Sequence, residues 1–417
     1  MLKQIEGSLG VALSVALCRP EVICAYPISP QTHIVENLGN LVRQGKIDPC
    51  EFINVESEFA AMSTAIGASV AGARAYTATA SQGLLFMVEA IYNASGLGLP
   101  IVMTVANRAI GAPINIWNDH SDSLSQRDSG WIQLFVESNQ QAVDVHIQAF
   151  KIAELLRIPV MVCMDGFVLT HAVDRVDIPQ QEEVDRFLPP YRPRQILDPA
   201  RPVSIGAMVG PEAFTEVRYL AHAKMVSALG CIEAVQDEFK AVFGRDSGGL
   251  LHAYRCEDAD IRIIAMGSSV GTIQEAVDEM REEGIKVGVI SLRSYRPFPS
   301  RALRAALQGA KTAIVFERAI SVGAGGPVMG DVVMALRGSS VELKNVIGGL
   351  GGRAVTKKSI KGIVQAAIAD KLEDLTFMDL DADLVRRQLE RERSEHRCGP
   401  VAESIMHDVA VRNRARS

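Results

Sequence analysis

The residues best equipped for chemistry lie in one stretch, NRAIGAPINIWNDHSDSLSQRDSGW, residues 107–131. It gathers Arg108, Asn115, Asp119, His120, Asp122, Gln126, Arg127 and Asp128 around both tryptophans of the chain. A solvated loop has no use for two indoles, and a packed core does not accept this many charges without partners. The composition predicts a built site, either a ligand pocket or a polar subunit interface. Arg108 closes the apolar run IVMTVA, and an arginine at such a strand end is suited to gripping a carboxylate through a charge-assisted pair. The competing reading is an interface salt bridge, with Asp119 or Asp122 as partner. His120 stands between two acids, but no second His or Cys follows at ligand spacing. It is read as a hydrogen-bonding residue, and no metal ligand is assigned.

Three further spots carry suitable groups. Glu56-Ser57-Glu58 joins a strand to a helix rich in small residues. One carboxylate there complements a helix N-terminus. The other precedes an almost wholly apolar helix that would bury it, and acid–base work is one reason to keep a buried carboxylate. Ser81-Gln82-Gly83 follows the run TATA and opens a helix; Ser81 is a natural N-cap, and amides left free there would line a pocket. In YPISP, residues 26–30, two prolines hold Ile28 and Ser29 extended just past a strand, where α/β sheets place ligands. Ser29 could donate to a bound carboxylate, but an ordinary rigid turn is the better reading of this motif by itself. Gly267-Ser-Ser-Val-Gly271 lacks the third glycine of a dinucleotide fingerprint and the Lys of a P-loop, so it predicts a tight structural turn.

The elements that must position these groups alternate along the chain. Helix-like GSLGVALSVALC, THIVENLGNLVRQGKI, EFAAMSTAIGASVAGA, QGLLFMVEAIYNASG and AVDVHIQAFKIAELL are interleaved with strand-like EVICAYPI, FINVES, ARAYTATA, LPIVMTVANR and IPVMVCMDGF. Such alternation predicts an α/β fold with a parallel sheet covered by helices on both faces. Residues 178–203, rich in proline and charge, predict an extended connection or arm rather than a regular element. Residues 204–255 predict helices that finish the first unit. A second α/β unit begins near 260, with IRIIAMG, TIQEAVDEMREEG, KVGVISL, RALRAALQGA and KTAIVFE forming a compact βαβαβ domain that ends near 350. Past 370 the chain is strongly charged, which predicts a solvated helix or an arm onto another subunit.

Composition narrows the partners. At 417 residues the chain is too long for one core. A net charge of −6 with no basic stripe excludes nucleic acid as a primary partner. Cys18, Cys24, Cys50, Cys163, Cys231, Cys256 and Cys398 form no CxxC pair, which argues against a cluster or structural zinc held by this chain alone and for reduced thiols in the cytoplasm. Glu6 interrupts the N-terminal apolar run, so residues 7–17 predict a core helix rather than a signal peptide. No apolar run reaches the roughly 20 residues that cross a membrane.

Taken together, YPISP, ESEFAA, TATASQGLLFM, the 107–131 stretch with its following IQ, SLRSYRPFP and GGLGGRAVT resemble the alpha subunit of the pyruvate:ferredoxin oxidoreductases. These are 2-oxoacid:acceptor oxidoreductases that use thiamine diphosphate. The matches run in family order from about residue 7 to about 365. The resemblance implies a pyrimidine-type thiamine-diphosphate domain over residues 1–245, a transketolase-C-like α/β domain over 255–350, and a C-terminal segment and charged tail over 351–417. The family holds the diphosphate and Mg²⁺ through a GDG motif, which this chain lacks. That implies a beta subunit holding both, with 4Fe–4S clusters in a ferredoxin-like subunit and a gamma-type subunit beside it.

By the same resemblance Glu58 matches the glutamate that hydrogen-bonds the pyrimidine ring, and Arg108 the arginine that holds the substrate's carboxylate or carbonyl region. Ser81 and Gln82 fall in the cofactor-binding segment. Ser29 replaces a family threonine, keeping the hydroxyl and losing a methyl, which implies room for a 2-oxoacid bulkier than pyruvate, such as phenylglyoxylate. The reaction implied is oxidative decarboxylation of a 2-oxoacid with coenzyme A. A non-catalytic scaffold subunit would need neither Glu58 nor Arg108. A non-oxidative thiamine-dependent decarboxylase would work without clusters.

Overall fold

In a computed structural model the structure describes residues 1–394 and 399–416. The first part runs β1 (Leu2–Glu6), α1 (Gly7–Leu17), β2 (Val22–Ala25), α2 (Thr32–Arg43), β3 (Glu51–Asn54), α3 (Glu58–Val70), β4 (Ala75–Thr79), α4 (Ser81–Phe86), α5 (Val88–Gly96), β5 (Val102–Asn107), α6 (Ser121–Ser125), β6 (Ile132–Phe135), α7 (Asn139–Leu156), β7 (Val160–Asp165), β8 (Val173–Asp177) and α8 (Gln181–Phe187). A long helix, α9 (Pro211–Phe243), leads to β9 (Leu251–Tyr254), β10 (Ile261–Ala265), α10 (Ser269–Glu282), β11 (Val287–Leu292), β12 (Ser294–Arg296), α11 (Ser300–Ala306), β13 (Thr312–Glu317), α12 (Pro327–Ala335) and β14 (Glu342–Ile347). After a 3-10 turn at Leu350–Gly352 come α13 (Lys357–Ile368), β15 (Leu375–Phe377), α14 (Ala382–Ser394) and α15 (Val401–Arg416).

The first sheet has the order β12-β6-β7-β5-β4-β2-β3. Six strands are parallel, as the alternation predicts, and β4, β5 and β7 are buried along their whole length. Burial on both faces explains why these strands read as unbroken apolar or small-residue runs. The helix α2 buries Ile34, Val35, Leu38 and Leu41, spaced to share one face. On one side of the sheet a core joins α1, α2, α7 and α9, with Phe150, Phe187 and Phe239 at its centre. On the other, a single apolar cluster runs from Met62 and Met103 through Phe135 to Ile290, Tyr295, Leu303 and Val332. The two α/β units thus share one core.

The second sheet, β15-β14-β13-β10-β11-β9, is parallel except for β9, which runs against β11. Its extent passes both expected bounds: β9 precedes residue 255, and β15 lies beyond 350. The helix α10 buries Ile273, Ala276, Val277 and Met280, the face read from its sequence.

Several expectations need correction. The span 178–203 is not wholly extended, because Gln180 and Glu183 form a capping box that starts α8. QGLLFMVEAIYNASG is two helices, broken at the buried Met87. Residues 204–255 hold one helix of 33 residues rather than several. The expected helix at 7–17 is present, but β1 precedes it and pairs antiparallel with β8, through a contact between distant segments. The charged tail forms two helices joined by Arg391 and Asp408 at 2.9 Å; Cys398 lies outside the described residues. The other six cysteines are free thiols. Among the described residues no helix is long and apolar enough to cross a membrane.

Candidate active site

The loops after β2, β4, β5 and β7 leave the same, carboxyl-terminal edge of the first sheet, the usual ligand edge of an α/β fold. Glu58 opens α3 on this rim. Ser57 caps the helix, its hydroxyl accepting from Ala60 N–H at 3.2 Å, so Glu58 is free of capping duty. Glu58 is 8% exposed, whereas Glu56 is exposed. Of the two carboxylates left open by the sequence, Glu58 is therefore the buried one. No hydrogen bond or ion pair engages its side chain among the described residues. Beside it lies Gly83, where a Cβ would come within 2.7 Å of Glu58 Oε1 and 2.6 Å of Thr79 Oγ1. The Thr79 hydroxyl is itself buried without a partner. A desolvated carboxylate and an orphaned hydroxyl facing a glycine make a cradle, and such groups call for an outside partner.

Arg108 follows β5 and is 6% exposed. Its guanidinium donates to Ser29 O at 2.9 Å and Asn115 O at 3.2 Å, and it pairs with no carboxylate among the described residues. Burial lowers its pKa from the ordinary value, with Asp122 opposing. The competing reading, a salt bridge to Asp119 or Asp122, finds no such pair among the described residues. Asp122 instead takes the backbone: its carboxylate accepts from Arg108 N–H and Ser81 N–H, each at 2.9 Å, from Ser123 N–H at 2.7 Å and from Asn107 Nδ2 at 2.8 Å. Burial pushes the Asp122 carboxyl up to about 6 while these donors pull it down. Asp119 accepts from Gly351 N–H and Ser121 instead.

Asp122 also explains why Ser81 is not the N-cap expected of it. With its N–H held by Asp122, Ser81 sits at φ +47, and Ala80 takes the cap position. The Ser81 hydroxyl bonds to Ala109 O at 2.6 Å and to Gln82 Oε1. The Gln82 amide nitrogen lies against Gly111, where a Cβ would approach to 2.6 Å. Ser29 is exposed at the rim, and its carbonyl accepts from Arg108. Arg108 and Ser29 thus meet directly, and Asp122 joins the Ser81-Gln82 turn to Arg108. Glu58 is brought to the same turn through Gly83.

The second unit buttresses the rim. Asp165, at the end of β7, accepts from His120 Nε2 at 2.8 Å, Arg318 Nη1 at 2.9 Å and Ser268 N–H at 2.8 Å. Burial pushes the Asp165 carboxyl up, but Arg318 and His120 more than offset this and hold it well below the usual carboxylate range. The glycine turn at 267 brings the Ser268 N–H to Asp165, and His120 is a hydrogen-bonding residue. The GGLGG turn docks on the 107–131 stretch: Asn115 Nδ2 donates to Gly351 O, and a Cβ on Gly352 would lie 2.4 Å from Trp117 Cβ. Of the two tryptophans, Trp131 is buried and Trp117 is exposed, beside exposed Ile114 and Ile116. The stretch therefore has a buried part against the rim and an exposed apolar edge. Sequence reasoning missed the roles of Asp122, Gly83 and Asp165; only the repeated acids within one polar stretch hinted at the first.

The rim of a parallel sheet thus carries, at a helix start, a buried glutamate unpaired among the described residues, and a second α/β unit is appended to it. The family described as pyruvate flavodoxin/ferredoxin oxidoreductase, thiamine diphosphate-binding, matches residues 14–237. Core domain II of pyruvate:ferredoxin oxidoreductase matches residues 259–360. The chain belongs to the pyruvate:ferredoxin oxidoreductase family. It is 47% identical over 391 residues to pyruvate synthase subunit PorA of Methanosarcina barkeri, covering 91% of this chain and 97% of that one. Ketoisovalerate oxidoreductase subunit VorA of Pyrococcus horikoshii is 40% identical, with 87% and 93% covered. A solved 2-oxoglutarate:ferredoxin oxidoreductase from Magnetococcus marinus shares the fold, with a TM-score of 0.65 at 21% identity over 88% of this chain; the match spans 65% of that chain's length.

Proposed function

We propose that this chain is the alpha subunit of a multi-subunit 2-oxoacid:ferredoxin oxidoreductase that converts a 2-oxoacid and coenzyme A to acyl-CoA and CO₂, passing electrons to an acceptor. The observation that carries this reading is the buried Glu58 carboxylate, which has no partner among the described residues and lies against the cradle at Gly83 and Thr79. Thiamine diphosphate, when bound, would supply an acidic carbon whose conjugate base attacks the keto group. Glu58 would hydrogen-bond the cofactor's pyrimidine ring and set which ring nitrogen carries a proton. Ser81 and Gln82 would line the cofactor side of the rim, and Arg108 would hold the substrate carboxylate with the Ser29 hydroxyl beside it.

With no GDG motif here, a beta subunit would hold the diphosphate and Mg²⁺ across the exposed Ile114, Ile116 and Trp117. Ferredoxin-like and gamma-type subunits would complete the complex, the first carrying 4Fe–4S clusters. The relatives named pyruvate synthase favour pyruvate as substrate. Ser29, smaller than threonine, favours a second reading, a bulkier acid such as phenylglyoxylate or a branched oxoacid.

The test is anaerobic purification of the complex and CoA-dependent reduction of a viologen dye across a panel of 2-oxoacids, with wild type beside Glu58→Gln. Thiamine-diphosphate-dependent activity should fall by about 10²–10⁴-fold in the variant. Equal activity in both would remove Glu58 from the mechanism and favour the scaffold reading. Aldehyde release without dye reduction would favour the non-oxidative decarboxylase.

A further inference from the structure

Away from the Glu58 cradle, three side chains with metal-binding atoms converge from separate parts of the sequence. Glu6 ends β1, His33 lies in the first turn of α2, and His171 sits in the turn after β7. One ligand atom of each lies within 4.8 Å of the others. Glu6 Oε1 and His33 Nδ1 are 2.7 Å apart, and the two imidazole rings face each other at 4.6 Å. Thr170 Oγ1 holds His171 Nδ1 at 2.7 Å, which leaves Nε2 as the free donor atom. A metal-bound imidazole with its other nitrogen hydrogen-bonded is the usual arrangement of a histidine ligand.

The backbone under these groups is tightly fixed. Gly7 N–H bonds to Ala172 O at 3.1 Å and Ser8 N–H to Thr170 O at 2.9 Å, so the start of α1 and the 170–172 turn move together. A Cβ at Gly7 would meet Leu169 O at 2.1 Å, so no larger residue allows that approach. The start of α2 is pinned by the fully buried Gln31, whose Nε2 donates to Tyr26 O and Ala78 O. The ligand set is therefore held by a rigid frame, while His33 is exposed and Glu6 half-buried, free to adjust.

We propose that Glu6, His33 and His171 form a binding site for a divalent transition-metal ion of the zinc class. Two imidazoles and one carboxylate are the ligands such ions select, and the chain supplies three, leaving a position for water. Bonds of about 2.0–2.1 Å need donor atoms about 3.3 Å apart. Closing the set from its present spacing takes a shift of about an ångström, within the reach of the two freer side chains. The ion would cross-tie β1, α2 and the 166–172 turn. That turn reaches the 107–131 stretch through a run of rings, from His171 to Phe167 at 4.8 Å and from Phe167 to Trp117 at 5.1 Å.

The probe is Zn²⁺ itself, titrated calorimetrically into the metal-free full-length chain, with Co²⁺ as a visible reporter of ligand geometry. Saturation at one ion per chain is expected, with a metal-dependent rise in Tm. His33→Ala and His171→Ala should each weaken binding about tenfold or more, and Glu6→Gln should weaken it less. His222→Ala, at an exposed histidine elsewhere on the chain, should leave binding unchanged. His33 is exposed, so its variant keeps the fold and decides the matter even if His171→Ala misfolds. No saturable binding, or binding that His33→Ala leaves intact, would overturn the proposal.

Discussion

Gly83 illustrates how little space separates a working rim from a blocked one. A methyl there would lie within 2.7 Å of Glu58 Oε1, so Gly83→Ala must push the carboxylate aside. We expect dye-reduction activity to drop at least about tenfold, since misplacing one acid–base group costs one to several orders of magnitude. The unfolding midpoint should fall as well, because the buried Thr79 Oγ1, 2.6 Å from that methyl, must also give way. Ser29→Thr restores the methyl at the substrate side. If Ser29 widens the pocket, the variant should shift relative kcat/KM toward smaller acids; an unchanged ranking across the panel would end that idea. Glu58 and Arg108 were legible as residues because a carboxylate before an apolar helix and an arginine ending an apolar strand each need a reason to exist. Asp122 was not. Its four donors come from residues 81, 107, 108 and 123, and no sequence pattern says that a buried aspartate will serve backbone amides rather than the nearest arginine.

Among the elements, α12 is held by an unusual group. Glu317, at the end of β13, is 1% exposed and accepts from Val328 N–H at 2.6 Å, Met329 N–H at 2.9 Å and Asn345 Nδ2 at 2.8 Å. Burial pushes its carboxyl up to about 7, against those donors. A carboxyl raised on folding binds its proton more tightly in the folded state. Its stabilising effect is full at acid pH, below the unfolded value of 4.5, and is lost as pH rises toward 7. Between about pH 5 and pH 8 this group should cost wild type up to about 3 kcal/mol, and Glu317→Gln should flatten that part of a urea-stability profile. An unchanged slope would mean Glu317 ionises without penalty. The main strands and helices were legible because period and length separate them. The strands β1, β8 and β12 were not: each pairs with a partner far along the chain. The break at Met87 left no mark either, since no proline or turn residue announces it.

At the scale of the molecule, Asp165 acts as a latch. It belongs to the first sheet, yet Ser268 and Arg318 reach it from the second unit. Asp165 is fully buried and Arg318 nearly so, at 0% and 6% side-chain exposure. Asp165→Asn would strand the guanidinium without its counter-charge, at a cost of about 3–5 kcal/mol. We expect urea unfolding of the variant to begin earlier and to split into two steps as the units separate; a single unshifted transition would show that the shared apolar core alone holds them. Two α/β units were legible in the sequence, but their joint core was not, because which strand faces which neighbour is settled only in three dimensions. One consequence concerns synthesis. The edge strand β12 completes the first sheet by pairing with β6, yet it is encoded beyond β11 of the second. While the nascent chain leaves the ribosome, β6 must wait, its edge bare, until residue 296 has emerged. A fragment ending at the first unit would keep that open edge permanently, and open edges recruit other chains. Cutting this protein at its apparent boundary should therefore yield aggregates rather than a minimal domain.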